Sequence, residues 1–265
     1  MSSSAASKAE MIQVARSEYK YRIRAAELPA LRNWLLRYCT PDENSRSGEW
    51  YAIRSLYLDN AEFRMFQDAK QKAAYRLKLR ARAYGEAQGS IKLEVKRRVR
   101  DLIVKTSATA QQSQWREASP LGLPGFHALS KPSMAEFLQL AESMHATPKM
   151  LVYYERQAFS SFVDDYVRVT FDRNVACQPM NSWDLTGDPR HWLSVDAPTG
   201  FGESESTYIL EVKFLDAPPA WLRDMVLYFG LQRRGGSKYV KSIQRALLYR
   251  DPAWDLEPNW RARVA

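Results

Sequence analysis

The sequence predicts an α+β domain in which antiparallel strands close into a barrel and helices pack outside it. Several segments alternate polar and apolar residues with a period of two, the pattern of a strand with two different faces. Their polar faces carry far more cations than carboxylates, which is unusual because like charges opposite each other destabilise a sheet. In a closed barrel alternate residues point inward, so these faces are expected to line the interior.

The segment from Ala74 to Arg98 predicts a β-hairpin at the centre of the domain. Four cations share one face of its first strand: Arg76, Lys78, Arg80 and Arg82. Four charged residues share one face of its second strand: Lys92, Glu94, Lys96 and Arg98. The five-residue connection 85–89 has glycine at both ends, which favours a hairpin turn.

Before this hairpin the sequence predicts two strands and two helices. The strands cover 16–23 and 50–59, and the helices cover 27–38 and 61–70. Four apolar residues recur at helical spacing in the first helix: Leu28, Leu31, Leu35 and Tyr38. We therefore expect an amphipathic helix packed against the sheet.

After the hairpin the sequence predicts four more strands, at 102–106, 150–158, 165–175 and 208–214. Three helices are expected, from 133 to about Pro148, from 218 to 231, and from 239 to 249 with Ser237 as its cap. Two segments are predicted to be loops: the acidic, glycine-bearing and proline-bearing stretch 181–207 and the basic stretch 233–238. Residues 111–131 show no clear period.

The composition points to a globular protein with a polyanionic partner. The chain has 265 residues, 45% of them hydrophobic, and a net charge of +9. It has no apolar run long enough to span a bilayer and no secretory signal, and its two cysteines, Cys39 and Cys177, form no disulfide framework. We therefore expect a cytoplasmic protein. Zinc is not expected, because the three histidines are far apart and belong to no metal-binding motif.

The predicted strand faces together carry fourteen cations and only four carboxylates. The carboxylates are Glu18, Glu94, Asp172 and Glu211. An interior lined in this way would repel itself unless a strongly anionic ligand lay inside it. Triphosphate or polyphosphate fits, with a metal ion held by the few carboxylates, because the arginine guanidinium donates two parallel hydrogen bonds to phosphate.

Seven short motifs occur in an order that resembles a known family. They are Glu18-Tyr-Lys20-Tyr, Arg54-Ser-Leu-Tyr-Leu-Asp59, Lys78-Leu-Arg80-Ala-Arg82-Ala-Tyr84-Gly85, Leu93-Glu-Val-Lys96-Arg, Tyr154-Glu-Arg156-Gln-Ala-Phe159, Ile209-Leu-Glu211-Val-Lys213 and Ser237-Lys238-Tyr239. This set resembles the VTC (vacuolar transporter chaperone) domain, the polyphosphate polymerase branch of the triphosphate tunnel metalloenzymes, also called the CYTH-like superfamily. The resemblance runs from about Val14 to Tyr249.

The resemblance implies an eight-stranded triphosphate tunnel that transfers the γ-phosphoryl group of ATP to inorganic polyphosphate. By motif position it implies five catalytic residues: Arg80, Arg82, Lys96, Arg156 and Glu211. It implies seven further phosphate-binding residues: Lys20, Arg54, Lys78, Lys105, Tyr154, Ser237 and Lys238. Glu211 would also hold Mn²⁺ or Mg²⁺.

The resemblance also implies a domain organisation and a set of partners. We expect a disordered segment at 1–12, a single tunnel domain at 13–250 and a tail at 251–265. No part of the chain is left for the regulatory domain or membrane helices of eukaryotic members, so a stand-alone bacterial-type protein is expected, with a separate membrane protein as a potential partner. ATP or another triphosphate and polyphosphate are the expected ligands.

One departure from the wider superfamily separates the functional alternatives. CYTH-type triphosphatases open with Glu-x-Glu-x-Lys, whereas this chain has Arg16-x-Glu18-x-Lys20, which favours the polymerase. A triphosphatase acting on a nucleoside, thiamine or inorganic triphosphate remains the alternative, followed by a non-catalytic polyanion-binding protein. Nucleic acid is not expected as a partner, because no aromatic residues interleave the basic stripe around Arg80 and Arg82.

Several residues have alternative structural roles. Tyr154 is equally consistent with an aromatic wall, Ser237 with a helix cap, and Lys78 with a cross-strand partner of Glu94. The resemblance also implies a further basic residue just before Ser237, where Gly235 and Gly236 stand, and Arg233 or Arg234 is the candidate to replace it.

Overall fold

The computed structural model describes residues 16–45, 48–85, 90–100, 102–111, 132–164, 166–196 and 207–248. Its strands are β1 (Arg16–Arg24), β2 (Cys39–Pro41), β3 (Tyr51–Asp59), β4 (Tyr75–Tyr84), β5 (Ser90–Val99), β6 (Leu102–Gln111), β7 (Thr147–Ser161), β8 (Val167–Pro179), β9 (Leu193–Ser194) and β10 (Thr207–Leu215). Its α-helices are α1 (Leu28–Leu35), α2 (Arg64–Lys70), α3 (Pro132–Ser143), α4 (Ala220–Tyr228) and α5 (Lys238–Leu248). The sequence-based predictions for 1–12 and 251–265 lie outside the described residues.

Eight antiparallel strands form one curled sheet in the order β1-β10-β8-β7-β3-β4-β5-β6. Within the described ranges no ladder joins β1 to β6, so the hydrogen-bonded sheet is a half-barrel. Its curvature is aided by register shifts after Tyr57 and Tyr153, because a bulge bends and twists a strand. The predicted α+β fold class with an eight-stranded antiparallel sheet is confirmed, and the sheet is curled into a half-barrel.

Two apolar clusters cover the convex face of the sheet. Phe137 and Ala141 of α3 pack with Leu79 and Leu93 of the central hairpin. On the other half, apolar residues of α1 and α4 pack with those of β1, β8 and β10; they include Leu31, Leu35, Trp221, Met225, Val169 and Val212. Alternation therefore places one set of side chains in these clusters and leaves the other set on the concave face.

Helix α5 is an exception to the prediction that helices pack outside. Its apolar residues Tyr239, Ile243 and Ala246 lie in one cluster with Tyr57 and Tyr154. Tyr57 lies opposite Arg80 in the ladder, so this cluster belongs to the concave face. The reason is that β3 and the first half of β7 are apolar on both faces, which leaves a second surface to be buried.

Strands β6 and β7 are longer than predicted, and the predicted loop 181–207 contains the short strand β9. β7 is long because it pairs with three strands, β2, β3 and β8. β9 exists because Leu193 and Ser194 pair with Cys177 and Ala176 at the end of β8. Such pairings join distant segments, so no local pattern in the sequence predicts them.

Candidate functional site

The concave face brings most of the predicted site residues together. Cross-strand pairs place charged residues opposite one another: Lys20 with Glu211, Lys78 with Lys96, Arg80 with Glu94, Lys96 with Lys105, and Arg156 with Asp172. Each strand contributes every second residue to this face. The result is a cluster of cations, here called the lumen cluster, organised around four carboxylates.

Glu211 and Glu18 form the first centre of the cluster. The ammonium of Lys20 lies 3.0 Å from a Glu18 oxygen and 3.2 Å from a Glu211 oxygen. Lys213 pairs with Glu211 at 2.8 Å, and Lys96 pairs with Glu18 at 3.0 Å across the concavity. Burial alone would raise the pKa of Glu211, but Lys20 and Lys213 hold it well below the usual range, so the carboxylate stays ionised.

Glu94 forms the second centre and is only 1% exposed. Arg80 Nε donates to it at 2.6 Å, Arg82 Nε lies 3.6 Å away, and Lys105 forms a third ion pair. Burial opposes ionisation of Glu94, yet these three cations hold its pKa well below the ordinary value. Arg80 also donates from Nη1 to the Tyr57 hydroxyl at 3.1 Å, so its plane is fixed.

Asp172 forms the third centre and is completely buried. Arg156 binds it in a bidentate manner, with Nε and Nη2 at 2.6 and 2.8 Å from its two oxygens. Lys238, the first residue of α5, forms a second ion pair with Asp172. The Lys238 ammonium also lies 4.4 Å from the centroid of the Tyr154 ring. Asp172 therefore joins the inner helix to the floor of the sheet.

Lys78 differs from its neighbours because a hydroxyl, not a carboxylate, accepts its hydrogen bond. Its ammonium donates to Ser237 Oγ at 2.7 Å. Burial and then the charges of Lys96, Lys20 and Arg80 lower the pKa of Lys78 to about 7. The alternative pairing of Lys78 with Glu94 is wrong, because Glu94 is occupied by Arg80, Arg82 and Lys105.

The family model described as "VTC domain" matches residues 15–247, which is most of the chain. This chain belongs to the VTC domain family. Among solved structures it resembles a candidate adenylate cyclase of Bacillus halodurans, with a TM-score of 0.50, 13% identity, and coverage of 84% of this chain and 96% of the other. It also resembles the PH1819 protein of Pyrococcus horikoshii OT3, with a TM-score of 0.42, 10% identity, and coverage of 88% and 99%. No curated protein matches the chain.

The first of these similarities supports the fold of the VTC domain, and the family match confirms the resemblance read from the seven motifs. In the ranges that the structure describes, no helix is both long enough and apolar enough to cross a membrane.

Arg54 is the one predicted phosphate-binding residue that the VTC domain places on the convex face. It lies opposite Ala83 and Tyr153 in the ladders, on the face of Leu56. Its Nη1 donates to the Gly85 carbonyl at 2.8 Å, and its guanidinium lies over the Tyr153 ring. Side chains alternate between the two faces of a strand, and Ser55 and Tyr57 occupy the concave face of β3. Arg54 must therefore lie on the convex face. Including Arg54 with the concave cations was therefore wrong.

Tyr154 and Ser237 both have structural contacts. Tyr154 is 1% exposed, and its ring packs beneath Lys238 and Arg156. The Val240 amide donates to Ser237 Oγ at 3.5 Å, a long capping contact, while the same oxygen accepts from Lys78. Tyr154 thus forms part of the aromatic wall beside the lumen cluster. Ser237 both caps helix α5 and contacts the lumen cluster through Lys78.

The site predictions left out Lys213 and Lys241. Lys213 is on the concave face because it lies two residues after Glu211 on β10, and that spacing is visible in the sequence. Lys241 follows Lys238 by three residues on α5, so the two share one side of the helix. The signal for Lys241 would have been this spacing, combined with an inner location of α5 that the sequence does not reveal.

Glu18 and Glu211 are the donors best placed for a divalent cation. Both carboxylates already face one cationic centre, the Lys20 ammonium, at 3.0 and 3.2 Å. No group of three or more His, Cys, Asp or Glu side chains gathers around one point within the described ranges. Two carboxylates completed by phosphate oxygens suit Mg²⁺ or Mn²⁺, which bind through few protein ligands and the phosphates of a substrate. These two carboxylates therefore fit a divalent metal that takes its remaining ligands from outside the protein.

Proposed function

We propose that this VTC domain is a polyphosphate polymerase that transfers the γ-phosphoryl group of ATP to the end of a polyphosphate chain. The terminal oxygen of the chain would form a bond to the γ-phosphorus, and the bond from that phosphorus to the β–γ bridging oxygen would break. ADP leaves with the electron pair of the broken bond. The chain grows by one phosphate, and no oxidant, reductant or water is consumed.

The observation that carries this proposal is the surplus of positive charge in the lumen cluster. Nine cations meet four carboxylates there: Lys20, Lys78, Arg80, Arg82, Lys96, Lys105, Arg156, Lys213 and Lys238 against Glu18, Glu94, Asp172 and Glu211. A compact group of cations that are buried or half-buried requires more negative charge than these carboxylates supply. A triphosphate or polyphosphate would supply it.

The carboxylates hold the cations in position before a ligand binds. Arg156 uses Nε and Nη2 for Asp172, and Arg80 uses Nε for Glu94 and Nη1 for Tyr57. A guanidinium has five N–H donors, so both arginines keep donors for phosphate oxygens. Phosphoryl transfer depends on positioning and charge neutralisation more than on covalent steps, and rigid cations provide both. Lys96, Arg82 and Lys238 are further cations of the lumen cluster that would bind successive phosphate groups of the polyphosphate chain.

Membership of the tunnel-enzyme family implies a divalent metal, and Glu18 and Glu211 are the residues that would hold it. When bound, Mn²⁺ or Mg²⁺ would neutralise charge on the phosphate oxygens. Lys20 would then have to leave its position between the two carboxylates, and a phosphate group beside it would provide its new partner. Glu211 is thus assigned to the metal and Lys20 to the phosphate.

Polymerase is preferred to triphosphatase because of the first strand. A hydrolase of the CYTH type has two glutamates there, and the second metal that they help to hold activates water. Position 16 is arginine in this chain, so one of those carboxylates is absent. The phosphate-binding residues are expected to be shared by both activities, so only the acceptor distinguishes them.

The test is incubation of the purified protein with ATP and Mn²⁺, followed by a gel stained for long polyphosphate and an assay of free phosphate. We expect ADP and polyphosphate to accumulate together and free phosphate to stay near the level of a Glu211→Gln control. Release of free phosphate in proportion to ADP, without polyphosphate, would instead establish the triphosphatase. Binding of polyphosphate without consumption of ATP would leave a polyanion-binding protein.

A further inference from the structure

A basic pocket adjoins the lumen cluster at the start of α5. Nine residues line it: Lys20, Tyr21, Arg22, Ile209, Arg234, Gly235, Gly236, Lys238 and Lys241. Five of the nine are cations and none is a carboxylate. Lys20 and Lys238 also belong to the lumen cluster, so the pocket and the cluster are continuous. The pocket therefore extends the basic surface beyond the three carboxylate centres.

The segment 233–236 forms one wall of this pocket and is held to β1. The Arg234 amide donates to the Lys20 carbonyl at 2.8 Å, and Tyr21 pairs with Arg233 in an isolated bridge. The Arg233 guanidinium lies 3.8 Å from the centroid of the Tyr19 ring, on the other face of β1 from Lys20. Of the two arginines considered as replacements for the basic residue expected before Ser237, Arg234 lines the pocket and Arg233 does not.

Lys241 fills the space that a side chain at position 236 would occupy. A Cβ atom added to Gly236 would lie 2.9 Å from Lys241 Cε and 3.4 Å from its ammonium nitrogen. The absence of a side chain at Gly236 thus allows the Lys241 side chain to cross the loop. Lys241 therefore brings a cation from the next turn of α5 to the wall formed by residues 233–236.

The charges around Lys241 favour an anion. Burial and then the charges of Arg22, Lys238 and Lys20 lower the pKa of Lys241 to about 8. Asp196 acts in the opposite direction, but its carboxylate accepts from the Val175 amide at 2.9 Å and does not line the pocket. An anion bound beside Lys241 and Arg22 would relieve this repulsion, and Arg234 lines the same pocket.

We propose that Arg22, Arg234 and Lys241 form a second phosphate-binding subsite, which holds the part of a polyphosphate chain that extends beyond the reacting groups. This inference rests on the proposed function for the identity of the ligand. Lys20 and Lys238 belong to both sites, so we expect a triphosphate to stop at these two lysines, whereas a longer chain would continue past them to Arg22, Arg234 and Lys241. The subsite thus distinguishes long chains from short ones.

The test compares binding of inorganic triphosphate and of long-chain polyphosphate by calorimetry at fixed salt concentration. We expect Lys241→Gln to weaken binding of the long chain about tenfold, the effect of one lost hydrogen bond between charged groups, and to leave triphosphate binding unchanged within about twofold. Gly236→Ala should produce a smaller loss of the same kind, because its methyl group displaces the end of Lys241 without removing charge. Arg223→Gln, on the exposed surface of α4, is the matched control for the loss of one cation.

Three results would overturn the inference. If Lys241→Gln binds long-chain polyphosphate as tightly as the wild type does, and triphosphate likewise, the pocket holds no phosphate. An equal loss for triphosphate and for the long chain would show that Lys241 belongs to the lumen site and not to a separate subsite. Failure of the wild type to bind either ligand would remove the proposed function as well, which separates that failure from the other two.

Discussion

The protein should take up protons when it binds polyphosphate at pH 8. Replacing Lys78 with glutamine should lower this uptake by about one proton. The pKa of Lys78 in the free protein is about 7 because partial burial, and then the charges of Lys96, Lys20 and Arg80, disfavour its ammonium form. About nine tenths of this group is therefore uncharged at pH 8. A phosphate beside it favours the ammonium and raises its pKa, so binding draws in about 0.9 proton at this residue.

The sign of the pH dependence follows from this uptake. Because the complex holds more protons than the free protein, affinity falls as pH rises above about 7. One lysine contributes up to about tenfold per pH unit until the pKa of the complex is reached. Burial is the largest cause that lowers the pKa values of Lys105 and Lys241 to about 8, so each is about half uncharged at pH 8 and should add to the proton uptake there. The difference between wild type and Lys78→Gln isolates the share of Lys78.

The assay is titration calorimetry at pH 8 in two buffers with different ionisation enthalpies. The dependence of the observed enthalpy on the buffer enthalpy gives the number of protons taken up. A long polyphosphate is used because its interior phosphate groups do not titrate in this range. Lys70→Gln, on the exposed surface of α2, serves as control. The same proton uptake in wild type and Lys78→Gln would refute a neutral Lys78 in the free protein.

Four further substitutions test other contacts. Glu211→Gln should reduce turnover by about 10² to 10³ while polyphosphate still binds, and it should lower the melting temperature of the free protein because Lys20 and Lys213 lose a buried partner; wild-type turnover at all Mn²⁺ concentrations would show that Glu211 is structural. Arg82→Ala should weaken triphosphate binding about tenfold in calorimetry, and unchanged affinity would remove Arg82 from the site. Asp59→Ala should lower the free energy of unfolding in urea by about 3 kcal/mol and Tyr239→Phe by about 1 kcal/mol, because Asp59 is fully buried and accepts bonds from the Met65 and Phe66 amides and the Tyr239 hydroxyl. A loss for Tyr239→Phe as large as that for Asp59→Ala would contradict this division.

The sequence alone determined the faces of strands that have one charged side and one apolar side. Arg80, Arg82, Glu94 and Lys96 were placed together correctly because side chains alternate strictly along a strand. The same rule did not help in β3, where residues on both faces are buried and the alternation is lost. The position of Arg54 was therefore taken from its motif, and the ladder with Tyr153 showed it to lie on the convex face.

Only the tertiary structure decided which cation meets which carboxylate. Lys96 reaches Glu18 across 78 positions of sequence, and Lys78 reaches Ser237 across 159. These contacts depend on strand order and on the curl of the sheet. Neither periodicity nor local propensity contains that information, because both describe a residue and its near neighbours. The inner location of α5 belongs to the same class, since an amphipathic helix specifies that one side is buried but not which face of a sheet receives it.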